Sequence, residues 1–135
     1  MPAIFARLNL RDQREILVLN APESFEKQLS ALGDIKVWRQ LEGVKSLDFA
    51  LSFVTQRAEL NRLSKALAKK AAGDAVLWFA YPKGTSNNYS CDFNRDVGWD
   101  VLKQSGFDTV RQVAIDDDWS ALRFRRVEFI KRPGG

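Results

Sequence analysis

Ala75-Val76-Leu77-Trp78-Phe79-Ala80-Tyr81 is the most apolar run of the chain, bounded by Gly73-Asp74 on one side and Pro82 on the other. A continuous apolar run this short, closed by breakers, suits a strand buried on both faces better than a helix. It is therefore placed at the centre of a sheet. Successive strand side chains alternate, so Trp78 and Phe79 are expected on opposite faces.

Reading outward toward the N-terminus, Leu47 to Val54 carries Phe49, Leu51 and Phe53 on one parity and Ala50 and Val54 on the other, which predicts a second buried strand. Between these strands Leu60, Leu63 and Leu67 recur at helical spacing, with Arg62, Lys65 and Lys69 on the opposite side. Thr55 is the candidate cap, and Glu59 and Lys69-Lys70 complement the helix dipole. Further out, Ile16-Leu17-Val18-Leu19 reads as another buried strand running into Asn20-Ala21-Pro22-Glu23, a helix start. Asn20 is the expected N-cap, Glu23 closes a capping box and Pro22 is tolerated in the first turn. Phe25, Leu29 and Leu32 mark the helix face and Gly33 its end, while Ile35 and Val37 alternate as in a short edge strand.

Toward the C-terminus, Lys83-Gly84-Thr85-Ser86-Asn87-Asn88 is loop by composition. Asn94 is expected to cap a helix carrying Val97, Val101 and Leu102 and closed by Gly106. Val110–Ile115 and Leu122–Ile130 are the last two strands, joined by Asp116-Asp117-Asp118-Trp119-Ser120. A change of apolar parity predicts a bulge near Arg125-Arg126, and Arg123, Arg125 and Arg126 read as protection of a sheet edge. This alternation of strands and helices predicts a three-layer, Rossmann-like α/β domain. Its mostly parallel sheet closes with a C-terminal antiparallel hairpin. The domain is expected to occupy residues 1–135, with no structure assigned to residues 1–15. Ligands of such sheets lie outside the carboxyl ends of the strands. Asn20–Glu23, Thr55–Arg57, Pro82–Asn88 and Asp116–Ser120 should share that edge.

The chain has 135 residues, and none is histidine. That removes every Ser-His-Asp or Cys-His mechanism and, with Cys91 the lone cysteine, ordinary Cys/His zinc sites. A single cysteine gives no sign of an oxidising compartment, and no apolar segment approaches membrane-spanning length, so the cytoplasm is the expected location. The net charge of +4 comes from residues 1–70, which makes the basic 57–70 helix the only candidate for nucleic acid, and a weak one.

A small-molecule site is expected between two loops of the ligand edge. Lys83, Thr85 and Ser86 offer a cation and hydroxyls for a carboxylate or phosphate, though the spacing is not that of a P-loop. Asp117 and Trp119, from the Asp116–Ser120 connection, would face them with a carboxylate and an indole. Arg95 is a candidate partner for an aspartate of that connection, and Cys91 has no neighbouring cation to activate it. The leading expectation is a non-catalytic or small-anionic-ligand-binding module without a cofactor or bound metal. The alternative is an enzyme acting on a small anionic substrate with Lys83 and an Asp116–Asp118 carboxylate. Weak nucleic-acid binding comes third.

From Ile16 onward the chain resembles a family of small bacterial α/β proteins with no assigned activity. The residues that carry this likeness are ILVLNAP at Ile16–Pro22, LWFAYPKGTS at Leu77–Ser86, FNRDVGWDVL at Phe93–Leu102 and VAIDDDWSALRFRRVEF at Val113–Phe129. The resemblance implies the fold and carries no catalytic residue with it. In strand order and terminal hairpin the chain is also similar to S-adenosylmethionine-dependent methyltransferases, again in fold only. Those enzymes turn after the first strand on glycines. Here no glycine lies between Leu10 and Gly33, Pro22 removes a donor and Glu23 adds a negative charge. These departures argue against binding of S-adenosylmethionine or a dinucleotide.

Overall fold

The computed structural model describes residues 1–130, so residues 131–135 of the expected domain lie outside the described residues. The central apolar run belongs to β4 (Ala71–Pro82), where Trp78 and Phe79 are both fully buried, one in each of the two cores flanking the sheet. The other strands are β1 (Glu15–Leu19), β2 (Lys36–Trp38), β3 (Leu47–Phe53), β5 (Phe107–Ala114) and β6 (Trp119–Arg126). They form one six-stranded sheet in the order β2-β1-β3-β4-β6-β5. The first four are parallel, β6 runs antiparallel to β4, and β5 antiparallel to β6. The mostly parallel sheet with its C-terminal antiparallel hairpin is the predicted one.

Helices α3 (Arg57–Lys70) and α4 (Asp100–Gln104) cover one face. Leu60, Leu63, Leu67 and Leu102 pack there on Ala50, Leu77, Phe79 and Phe124. A single 3₁₀ turn (Glu23–Phe25) and α2 (Glu26–Ser30) cover the opposite face through Phe25 and Leu29. The N-terminal segment, without an assignment from sequence, extends that layer. Its helix α1 (Ala3–Arg7) and the turn after it bury Phe5, Leu8 and Leu10 over the sheet. The buried Trp78 indole donates to the Leu8 carbonyl at 2.7 Å, satisfying an N–H that would otherwise be orphaned in the core.

Several local expectations are corrected. Asn20 is not an N-cap, because it adopts a left-handed conformation (φ 59°) and its amide donates away from the helix, to the Phe53 carbonyl at 3.2 Å. Thr55 does not cap α3. The Arg57 N–H finds its acceptor in Asp92 Oδ1, 2.6 Å away and distant in sequence. No helix begins at Asn94, whose side chain accepts from Asp96 and Val97 N–H groups in a turn, leaving Val97 exposed. Gly98 at φ 114° interrupts the helical path, and a side chain there would come within 2.9 Å of Phe93 Cβ, so α4 starts only at Asp100.

The arginines of β6 are not edge protection, since β6 lies between β4 and β5 and the edge is β5. Arg125 forms a two-pronged pair with Asp74 (2.8 and 2.6 Å). Arg126 donates to the carbonyls of Gly73 and Ala71 while lying over the Phe107 ring. The bulge sits on β5, between Thr109 and Arg111. The parity change near Arg126 instead marks the end of β6, which gives way to a 3₁₀ turn at Val127–Phe129.

Candidate functional site

Parallel strands send their carboxyl ends to one edge, and β1 turns left to β2 while the chain later returns to the right of β1 as β3. Among the described residues, cavities open beside β1, beyond β3 and over β4 along that edge. Beside β1, Leu19, Asn20, Glu42 and Leu63 are among the residues lining one of about 270 Å³. Beyond β3, Thr55, Gln56, Ser90, Cys91 and Asp92 line a second of about 340 Å³. Ser90 and Cys91 also border the third, a crevice of about 880 Å³ over the ends of β4, β5 and β6, within the usual range of ligand pockets.

The floor of the large crevice is polar because its three strands end there with Tyr81, Gln112 and Ser120 on one face. The Gln112 amide donates to Tyr81 Oη at 3.2 Å and to Ser120 Oγ at 3.1 Å. Gln112 thereby fills an acceptor position on each hydroxyl. Burial pushes the Tyr81 phenol up, against a lowering hydrogen bond from Ser120, and burial also pushes the Cys91 thiol up. Both groups stay protonated at neutral pH.

Lys83, Thr85, Ser86 and Arg95 belong to the crevice walls. The wall loop is tied to the β5–β6 connection. The Lys83 N–H donates to the Asp118 carbonyl at 2.8 Å, and Ser86 Oγ and Asn88 Nδ2 donate to the Asp118 carboxylate at 2.8 and 3.2 Å. Among the described residues the Lys83 ammonium makes no ion pair. Arg95 pairs with the neighbouring Asp96 at 3.5 Å rather than with the Asp116–Asp118 stretch. Among the described residues no carboxylate lines the crevice.

Of the five residues named from sequence, Lys83, Thr85 and Ser86 come together at this crevice, whereas Asp117 and Trp119 lie outside its lining. The Asp116 carboxylate accepts from the N–H groups of Asp118 and Trp119. The resulting turn leaves Asp117 exposed. It sends the Trp119 ring into the core of the opposite face, against Phe53 and Tyr89. The same bonds spread the three aspartates, and among the described residues no group of carboxylate or cysteine side chains is disposed to hold a metal ion. Sequence reasoning missed Tyr81, Gln112 and Ser120. Their signal is polar side chains at the ends of apolar strands. Asp92, inside an irregular segment, gave none, and Arg95, expected beside the Asp116–Asp118 stretch, borders the crevice instead.

No family model matches the chain, and no curated protein matches it in sequence. Solved structures do match in fold. A SAM-dependent methyltransferase from Aquifex aeolicus superposes with a TM-score of 0.60 at 12% identity, over 92% of this chain and 88% of that one. The N-methyltransferase NodS from Bradyrhizobium japonicum, in complex with S-adenosyl-L-homocysteine, gives 0.58 at 12% identity over 92% and 84%. The magnesium protoporphyrin IX methyltransferase from Synechocystis, with bound SAM, gives 0.54 at 12% identity over 91% and 74%. At this identity the likeness establishes the fold, the Rossmann-like architecture of the methyltransferases.

The fold these methyltransferases share with the chain overturns the expected non-catalytic module. The alternative enzyme that pairs Lys83 with an Asp116–Asp118 carboxylate fails on geometry, since none of the three aspartates lines the crevice. The physical ground for the earlier expectation also fails. Asparagine is one of the few residues that enter the left-handed region readily, and Asn20 makes the turn after β1 without a glycine.

Proposed function

We propose that this protein is a methyltransferase-like enzyme using S-adenosylmethionine. The observation that carries the reading is Asn20, held left-handed at the point where β1 and β3 diverge, in a sheet with methyltransferase strand order. The residues there fit such a cofactor. Leu19, Leu41 and Leu63 give an apolar surface for an aromatic base, the Glu42 carboxylate supplies acceptors for a ribose diol, and the two arginines of the lining, Arg39 and Arg62, are paired with Glu26 and Glu59. Thr55 and Gln56, in the adjoining cavity, offer polar groups for an amino-acid end. Neither Pro22 nor Glu23 opposes this fit, because the cofactor carries a sulfonium and no phosphate, and a cation is favoured by a nearby carboxylate. When bound it supplies an electrophilic methyl group. The protein's own residues bind and orient the two reactants, and the crevice over Tyr81, Gln112 and Ser120, with Lys83, Thr85 and Ser86 in its wall, receives the acceptor.

Lone Cys91, half-buried and without a disulfide, supports a cytoplasmic setting. Among the described residues no helix is long and apolar enough to cross a membrane. The test is calorimetric titration with S-adenosylhomocysteine. Saturable one-to-one binding that weakens about tenfold in Glu42→Ala is expected, since a carboxylate accepting hydrogen bonds contributes on that scale. Absence of binding up to about 1 mM refutes the proposal.

A further inference from the structure

The large crevice has a chemical bias that narrows its ligand. Among the described residues its cationic groups are Lys83 and Arg95, its floor presents the Tyr81 and Ser120 hydroxyls and the Gln112 amide, and no aspartate or glutamate lines it. Lys83 has no ion-pair partner among the described residues, and Arg95 has only the exposed Asp96 beside it in sequence. The crevice therefore offers hydrogen-bond donors and positive charge, the complement of an oxyanion. It also holds nothing to take up a proton at neutral pH. The chain lacks histidine, and burial keeps the Tyr81 phenol and the Cys91 thiol protonated. An alcohol acceptor must shed a proton as it is alkylated, and an amine that arrives as its ammonium must lose one beforehand, yet no group lining the crevice accepts it.

We propose that the crevice over Tyr81, Gln112 and Ser120 is a subsite for a small carboxylate, held by Lys83 and Arg95, and that this carboxylate is the methyl acceptor. The acceptor half of the inference rests on the methyltransferase-like reading above. Methylation of a carboxylate forms a C–O bond, breaks the donor's C–S bond, leaves that electron pair on sulfur and moves no proton. Tyr89 and Phe93, also in the lining, give the body of such a ligand an aromatic wall.

The subsite is tested on the protein without cofactor, by chemical-shift titration with benzoate, benzamide, benzylamine and phenyl phosphate. Benzoate is expected to bind at least about tenfold more tightly than the amide, with shifts mapping to Tyr81, Gln112 and Ser120, and the amine is expected not to bind. Lys83→Ala and Arg95→Ala should each weaken benzoate about tenfold, while Lys65→Ala, on the outer side of α3, leaves it unchanged. Both variants should keep the parent's affinity for S-adenosylhomocysteine, so a failure here is separable from a failure of the cofactor reading. Equal binding of amide and carboxylate, preference for phenyl phosphate, or benzoate binding indifferent to both variants overturns the proposal. Arg95 is exposed and the half-buried Lys83 makes no ion pair among the described residues, so loss of binding in a variant whose melting temperature is unchanged is a loss of the subsite.

Discussion

Replacing Asn20 by alanine and by glycine separates its two contributions, backbone conformation and side-chain hydrogen bonding. Both substitutions remove the amide that bridges the Phe53 carbonyl (3.2 Å) and Glu59 Oε1 (3.3 Å) across the ends of β1 and β3. Losing these partly exposed bonds costs about 0.5–1.5 kcal/mol. Alanine must in addition hold φ near 59°, which costs an L-residue about 1–2 kcal/mol. Glycine escapes that strain but gives up about 0.4–1 kcal/mol through its freer unfolded chain. Asn20→Ala should therefore lose about 2 kcal/mol, and Asn20→Gly should be more stable than it by about 0.5–1 kcal/mol. In urea melts the two variants should share the parent's slope and differ in midpoint, and in thermal melts they should differ by about 2–4 °C. A glycine variant no more stable than the alanine variant would show that the left-handed turn is not what Asn20 supplies, and the cofactor reading would lose its carrying observation.

Asp92→Ala should cost about 1 kcal/mol, the usual value of a lost helix cap, and should speed hydrogen exchange of the Arg57 amide and of the segment around Cys91, which Asp92 ties to α3. Trp78→Phe strands the Leu8 carbonyl and should lower stability by about 1–3 kcal/mol, with limited proteolysis entering first at the N-terminal segment. The two-pronged hydrogen bond from Arg125 holds the Asp74 carboxyl below the usual carboxylate range. A depressed folded-state pKa stabilises above the unfolded value near ~4, and the contribution is lost as pH falls through the folded value. The pair is about one-third exposed, so Asp74→Asn should cost ~0–1 kcal/mol at pH 7, and the difference from the parent should vanish on acidification. Cys91, its thiol pushed up by burial, should be alkylated by iodoacetamide at pH 7.5 more slowly in the native protein than in urea.

What the sequence made legible is whatever depends on apolar periodicity. The runs at Ile16–Leu19, Leu47–Val54 and Ala75–Tyr81 fall in β1, β3 and β4, and the leucines of α3 face the sheet, because burial of such residues dominates the local preference. Errors concentrate where a polar side chain chooses between local and distant partners. Asn20 and Asn94 both read as caps, yet one reaches across to β3 and the other closes a turn. The true cap of α3 comes from Asp92. The site was half legible for the same reason. Lys83, Thr85 and Ser86 follow a recognisable strand. Gln112 meets Tyr81 only through the register of β5 on β6 and β6 on β4, which no local pattern encodes.

The glycine-free turn after β1 and the helix-free connection between β2 and β3 shape the same groove. The connection 39–46 carries no helix. It lies flat on the α3 face, where Leu41 and Val44 pack into the core and Lys70 donates to the Val44 carbonyl. A full crossover helix would wall the groove beside β1. This short connection instead brings Glu42 to its rim and leaves it shallow. A ligand held there gains less from enclosure and depends more on the few polar groups that fix it. The opposite end of the edge differs, since the 83–95 segment is pinned by Asp118 to one neighbour and by Asp92 to another. Rigid walls make the crevice over β4 the better-formed half of the site. On the reading we propose, selectivity resides in the acceptor, read by Lys83 and Arg95, more than in the cofactor.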